Sequence, residues 1–126
     1  PTGGANFNTP IVPAKGRRWL QINGTEDKII PYLGGKSTLG FKVLPAQNLF
    51  YTWAVHMGEK GAKLSDSAGE PHPTNEKLII YEYLDGNFIH VKGVGSGHGV
   101  RAKEIKSIIQ DFLSKPSMKS GATTRN

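Results

Sequence analysis

A chain of 126 residues with 37% hydrophobic side chains has room for one compact domain and not for two. Sixteen Lys and Arg against 10 Asp and Glu give a net charge of +6. The absence of cysteine excludes disulfide staples, thiolate zinc sites and cysteine nucleophiles together, and no run of about 18–20 apolar residues offers a membrane span.

Residues 1–16 (PTGGANFNTPIVPAKG) carry three prolines and three glycines and read as an extended loop. The chain opens at Pro1 with no methionine, basic n-region or apolar h-region, so an N-terminal portion is expected to be missing and localisation stays open. The segment 17–23 (RRWLQIN) is short and apolar around Trp19, Leu20 and Ile22, is bounded by Gly24, and predicts a buried strand. Residues 24–37 read as a polar turn, an apolar patch at Ile29, Ile30 and Pro31, and a second loop. From Ala46 the period changes. Leu49, Phe50, Trp53, Ala54 and Met57 recur three and four apart, on one face of a helix that Pro45 starts and Gly58 and Gly61 end. Aromatic residues at that spacing are core.

The stretch 62–76 is polar, contains Pro71 and Pro73, and reads as a surface loop. Two strands follow, 77–84 and 87–92, joined by Asp85-Gly86, a two-residue hairpin signal. The glycine-dense loop GVGSGHG spans 93–99, and a helix over 102–114 carries the stripe Ile105, Ile108, Ile109, Phe112 and Leu113. Pro116 stops that helix, and 116–126 reads as a disordered tail. Lys103, Lys106, Lys115, Lys119 and Arg125 lack an aromatic stacking pattern, so they predict a solvated surface and no nucleic-acid partner. The order strand, helix, hairpin, helix fits the edge of an α/β sheet. Three strands and two helices make a poor core alone, so the chain reads as part of something larger.

Asp27 and His98 stand out because each follows a strand, and open α/β sheets gather function at the carboxyl ends of parallel strands. They meet only if the strands 17–23 and 87–92 are parallel neighbours, with 77–84 as the antiparallel outer edge. If 77–84 pairs in parallel with 17–23 instead, His98 emerges far from Asp27. A carboxylate accepting from one imidazole nitrogen fixes the tautomer and stabilises the imidazolium formed when the other nitrogen takes a proton.

Other motifs fall short. GGKST at 34–38 resembles the tail of a phosphate loop but has Ile30 where the first glycine belongs. GVGSGHG does not satisfy G-x-G-x-x-G from either start, so no dinucleotide cofactor is expected. His56, His72, His90 and His98 lack metal-pair spacing, so no metal is expected; His90 should face away from its neighbours Ile89 and Val91. Asn23-Gly24-Thr25 is a formal glycosylation sequon.

The segment 19–35 (WLQINGTEDKIIPYLGG) resembles the catalytic-acid region of α/β-hydrolases of the polyhydroxybutyrate depolymerase and feruloyl esterase type, whose pattern is H/N-G-T-x-D-x-x-(I/V)-P-Y-x-G-G. Asn23, Gly24, Thr25, Asp27, Ile30, Pro31, Tyr32, Gly34 and Gly35 match it. The helix with Trp53-Ala54 resembles the family's next helix, and GVGSGHG its catalytic-histidine loop; the similarity runs over about 11–113. The resemblance implies that 17–115 is the C-terminal part of an α/β-hydrolase domain, a family often secreted, acting on an ester substrate. It makes Asp27 the triad acid and His98 the general base. The chain departs from many members in lacking a cysteine after the Trp helix and in following the histidine with Gly99, Val100 and Arg101 in place of Trp-Pro. None of its eight serines lies in G-x-S-x-G, so the nucleophile and its oxyanion hole are expected from the missing N-terminal portion or another chain. The alternative expectation is a non-catalytic interaction module that works alone or exchanges its sheet edge with another chain.

Overall fold

A computed structural model describes residues 18–38, 40 and 42–114; the expected loop 1–16 and tail 116–126 lie outside the described residues. The apolar run after Arg18 forms β1, Trp19–Gly24. The element that pairs with it is β6, Phe88–Gly93, in parallel and in register from Trp19↔Phe88 to Gly24↔Gly93. On the far side of β6 runs the antiparallel β5, Asn75–Tyr83, and beyond it the short antiparallel β4, Glu70–His72. The sheet order is therefore β1-β6-β5-β4. A two-stranded ribbon joins β2, Gly35–Lys36, to β3, Lys42–Val43.

The two helices pack on opposite faces, as strand alternation requires of a sheet buried on both sides. Helix α1, Ala46–His56, lays Leu49, Phe50, Trp53 and Ala54 against Phe88 and Tyr83. Helix α2, Glu104–Ser114, lays Ile108 and Phe112 against Leu20, Ile22, Leu78, Ile89 and Val91. The molecule is thus a mixed α/β layered structure. His90 lies on the α1 face, opposite Ile89 and Val91.

Three sequence expectations need correction. The sheet has four strands where three were expected, because 70–72 pairs with β5 within the stretch read as loop. Proline argues against a strand, but at a sheet edge one row of backbone groups needs no partner, so Pro71 is tolerated. The small β2–β3 ribbon in the expected loop region was likewise not anticipated, since two-residue strands carry no period. Finally, the hairpin is not closed by Asp85-Gly86 alone. The last register pair is Tyr83↔Phe88, leaving a four-residue connection in which Leu84 and Asp85 adopt φ of 55° and 54°. Tertiary partners impose this turn: Leu84 N donates to Glu59 Oε1 at 3.0 Å, while Asn87 Nδ2 donates to Leu84 O at 2.9 Å. Arg18 Nε donates to Asn87 Oδ1 at 3.0 Å, which draws the same residue toward the start of β1.

Candidate active site

Because β1 and β6 are parallel and end in register at Gly24 and Gly93, the loops that follow them leave the same end of the sheet. These loops are stitched together. Thr25 N donates to Gly93 O at 2.9 Å, Glu26 N to Ser96 O at 2.8 Å, and Gly95 N to Thr25 Oγ1 at 2.8 Å. Two glycines make the approach possible. A Cβ on Gly24 would collide with the carbonyl oxygens of Ser96 and Gly97, and Gly95 turns with φ of 81°.

Asp27 sits in this junction with its side chain 2% exposed. Its Oδ1 accepts from the backbone N–H groups of Ile29 and Ile30 at 2.9 and 2.8 Å, so the carboxylate cannot swing. Its Oδ2 lies 2.8 Å from His98 Nδ1. A carboxylate only accepts, so Nδ1 carries the proton and Nε2 is the lone-pair nitrogen. The His98 side chain is 48% exposed, half in the fold and half toward solvent. Such a pair can take a proton at Nε2 from a hydroxyl brought up to it and hold the resulting imidazolium against a fixed anion.

The structure thus brings Asp27 and His98 together through the parallel strand arrangement that the sequence reading required of them. No serine hydroxyl hydrogen-bonds to His98 among the described residues; Ser96, the serine nearest in sequence, is engaged through its backbone with Glu26 and Gly93. Lys36 of the GGKST stretch lies in β2, ten residues before α1, and the segment does not lead into a helix as a phosphate loop does. Asn23, the sequon asparagine, is buried. Among the described residues no group of three or more His, Cys, Asp or Glu could hold a metal ion, and no helix is long and apolar enough to cross a membrane.

A second polar group lies on the α1 face of the sheet; the sequence names its two residues, Tyr32 and His90, separately but gives no sign that they meet. Tyr32, five residues after Asp27, directs its hydroxyl to Gln47 Oε1 at 2.7 Å and lies 2.9 Å from His90 Nε2. With the hydroxyl proton committed to Gln47, Nε2 of His90 donates to Tyr32. His90 is 1% exposed, packed among the rings of Phe50, Tyr32 and Tyr81, and its Nδ1 has no hydrogen-bond partner among the described residues. Burial, with the charge of Lys92 as a smaller cause, lowers its pKa to about 3. Burial also raises the Tyr32 hydroxyl well above the ordinary phenol range, with Tyr81 and Asp66 adding to it, so the cluster is uncharged. The available signal was the polar residue His90 alternating within an apolar strand.

No protein-family model, curated protein or solved structure matches this chain.

Proposed function

We propose that the chain is the C-terminal portion of an α/β-hydrolase, and that Asp27 and His98 are the acid and general base of a serine-esterase triad. The observation that carries this reading is the 2.8 Å contact between Asp27 Oδ2 and His98 Nδ1, made at the carboxyl ends of two adjacent parallel strands. In the proposed reaction His98 Nε2 removes the proton of a serine hydroxyl as its oxygen attacks the ester carbonyl. Asp27 holds the Nδ1–H tautomer and stabilises the imidazolium, which then protonates the leaving alcohol. Water repeats the sequence on the acyl-enzyme.

The serine comes from a segment outside this chain, and β1 offers a place for it. At the other edge, β4 is short, carries Pro71 and has an irregular register, features that discourage pairing. β1 has none of these. Leu20–Gly24 are buried, and Trp19 and Thr25 donate their N–H groups on the β6 side, to Asn87 O and Gly93 O. Among the described residues no strand pairs with the other edge of β1, to which the alternation turns the backbone N–H groups of Leu20 and Ile22. A strand added there would extend the sheet at the end where Asp27 and His98 sit. The same edge, unpaired among the described residues, also favours the second reading, a module that joins another chain by strand addition without catalysis.

Hydrolysis of a short p-nitrophenyl ester by the longer protein bearing a G-x-S-x-G segment separates the two. Asp27→Asn and His98→Ala are each expected to lower kcat on the order of 10³–10⁴-fold. Full activity in both variants, or serine-dependent turnover by the isolated chain, would overturn the triad assignment.

A further inference from the structure

We propose that Tyr32 and His90 are a positioning pair that sets Asp27 against His98; this rests on Asp27 and His98 being the acid–base couple. Neither residue hydrogen-bonds to His98. They act through the two backbones that carry the couple. Tyr32 belongs to the loop of Asp27, and His90 belongs to the strand whose following loop holds His98.

Tyr32 is fixed at both ends. Its carbonyl accepts from Ala46 N, the first residue of α1, at 2.8 Å, and its hydroxyl is held between Gln47 and His90. A line of contacts therefore runs from α1 through Tyr32 to β6, and it closes the acid loop onto the sheet from below. The stitches between Thr25, Glu26, Gly93, Gly95 and Ser96 close it from above. The upper stitches are backbone-dominated, while the lower contact depends on two side chains. Burying an imidazole, with its two polar nitrogens, costs more than burying an apolar side chain of similar size. An apolar side chain would avoid that cost, so an account of the position by packing alone leaves the histidine unexplained. Holding the Tyr32 hydroxyl gives it a task. The cluster is neutral throughout, which makes it a rigid support with no proton to give to the couple.

The tautomer of neutral His98 reports the position of Asp27 directly. A well-placed carboxylate favours Nδ1–H, and a displaced one returns the ring toward its own preference. The ratio is read from imidazole ¹⁵N shifts of the full chain at a pH where His98 is neutral. Asp27→Asn should abolish the Nδ1–H bias. Tyr32→Phe and His90→Leu should each lower the ratio by about five- to tenfold, the effect of loosening one hydrogen bond's worth of order. His90→Gln, whose amide can replace the Nε2–H donor, should restore most of it. A merely structural role predicts otherwise: all three variants would lower thermal stability and leave the ratio unchanged in the folded protein. That result with the Asp27→Asn effect intact overturns the positioning role alone. An unchanged ratio in Asp27→Asn overturns the couple itself. If Tyr32→Phe does not fold, the His90→Leu and His90→Gln comparison still decides the matter, because equal ratios in those two variants refute the proposal.

Discussion

Viewed from α2, the central sheet presents Leu20, Ile22, Leu78, Ile89 and Val91, all aliphatic. Viewed from α1, the same three strands present Trp19, Phe88, Tyr83 and a polar row in which Gln21, His90 and Tyr81 lie side by side in register, each 2% exposed or less. The α2 face is held by dispersion and apolar burial, which tolerate exchange among side chains of similar volume. The α1 face also has polar atoms to satisfy, so its side chains have few acceptable orientations. It is this second face onto which the loop of Asp27 folds, through Tyr32. A layer with preferred orientations can support a catalytic geometry that a purely aliphatic layer would leave free to slide.

Large-to-small substitutions on the two faces test that contrast. Phe88 is 0% exposed and packs against Phe50 with ring centroids 5.0 Å apart, so Phe88→Ala should cost about 3–5 kcal/mol in urea denaturation. Leu78→Ala, at a site 1% exposed on the α2 side, should cost about 2–5 kcal/mol. Only the first should also loosen the Asp27–His98 contact, seen as a lower Nδ1–H ratio in His98. Equal effects on that ratio would mean that the two faces support the site alike.

How much of this was legible follows from the physics of each element. Strands β1, β5 and β6 and both helices carry their period in the sequence, and burial enforced it. The Asp27–His98 meeting was readable as a condition, since it needs β1 parallel to β6, but the choice of pairing is tertiary and no local signal sets it. The strand β4 was hidden by Pro71 within it and Pro73 just after it, and the turn at Leu84–Asn87 by partners as remote as Arg18 and Glu59. The Tyr32–His90 contact spans 58 residues and joins two positions with no shared motif. Its histidine announced itself only as a polar break in an apolar strand.

A pH series sharpens the contrast next, because the α1 face holds a buried base. In the fold His90 stays neutral down to about 3, whereas in the unfolded chain it titrates near the ordinary imidazole value of 6.5. Between these values the unfolded state binds the extra proton, so unfolding free energy rises with pH across that window. The contribution is complete above 6.5 and is lost as pH falls toward 3. The slope is at most about 1.4 kcal/mol per pH unit, or about 2–3 kcal/mol over two units. Urea midpoints between about pH 6 and about pH 4 should therefore fall more steeply for the wild type than for His90→Gln, which keeps every carboxylate and removes only this titration. Parallel slopes would show that His90 is already charged in the folded protein.

The smallest effect is expected where the apolar stripe of α2 runs past the sheet. Phe112 is 8% exposed and lies beneath the Arg18 guanidinium, with Cζ 4.0 Å from the ring centroid, whereas Leu113 is 70% exposed. Sequence periodicity groups the two because helical spacing places both near one side, yet only the first reaches the strands. A side chain already in water has little burial to lose, so Leu113→Ser should change stability by no more than about 0.5 kcal/mol. Thermal or urea unfolding of the isolated chain suffices to measure it. A loss above about 1 kcal/mol would place Leu113 within the packed face. The α2 layer would then extend beyond the sheet, and its aliphatic side would no longer be a simple hydrophobic counterpart to the ordered polar layer across from it.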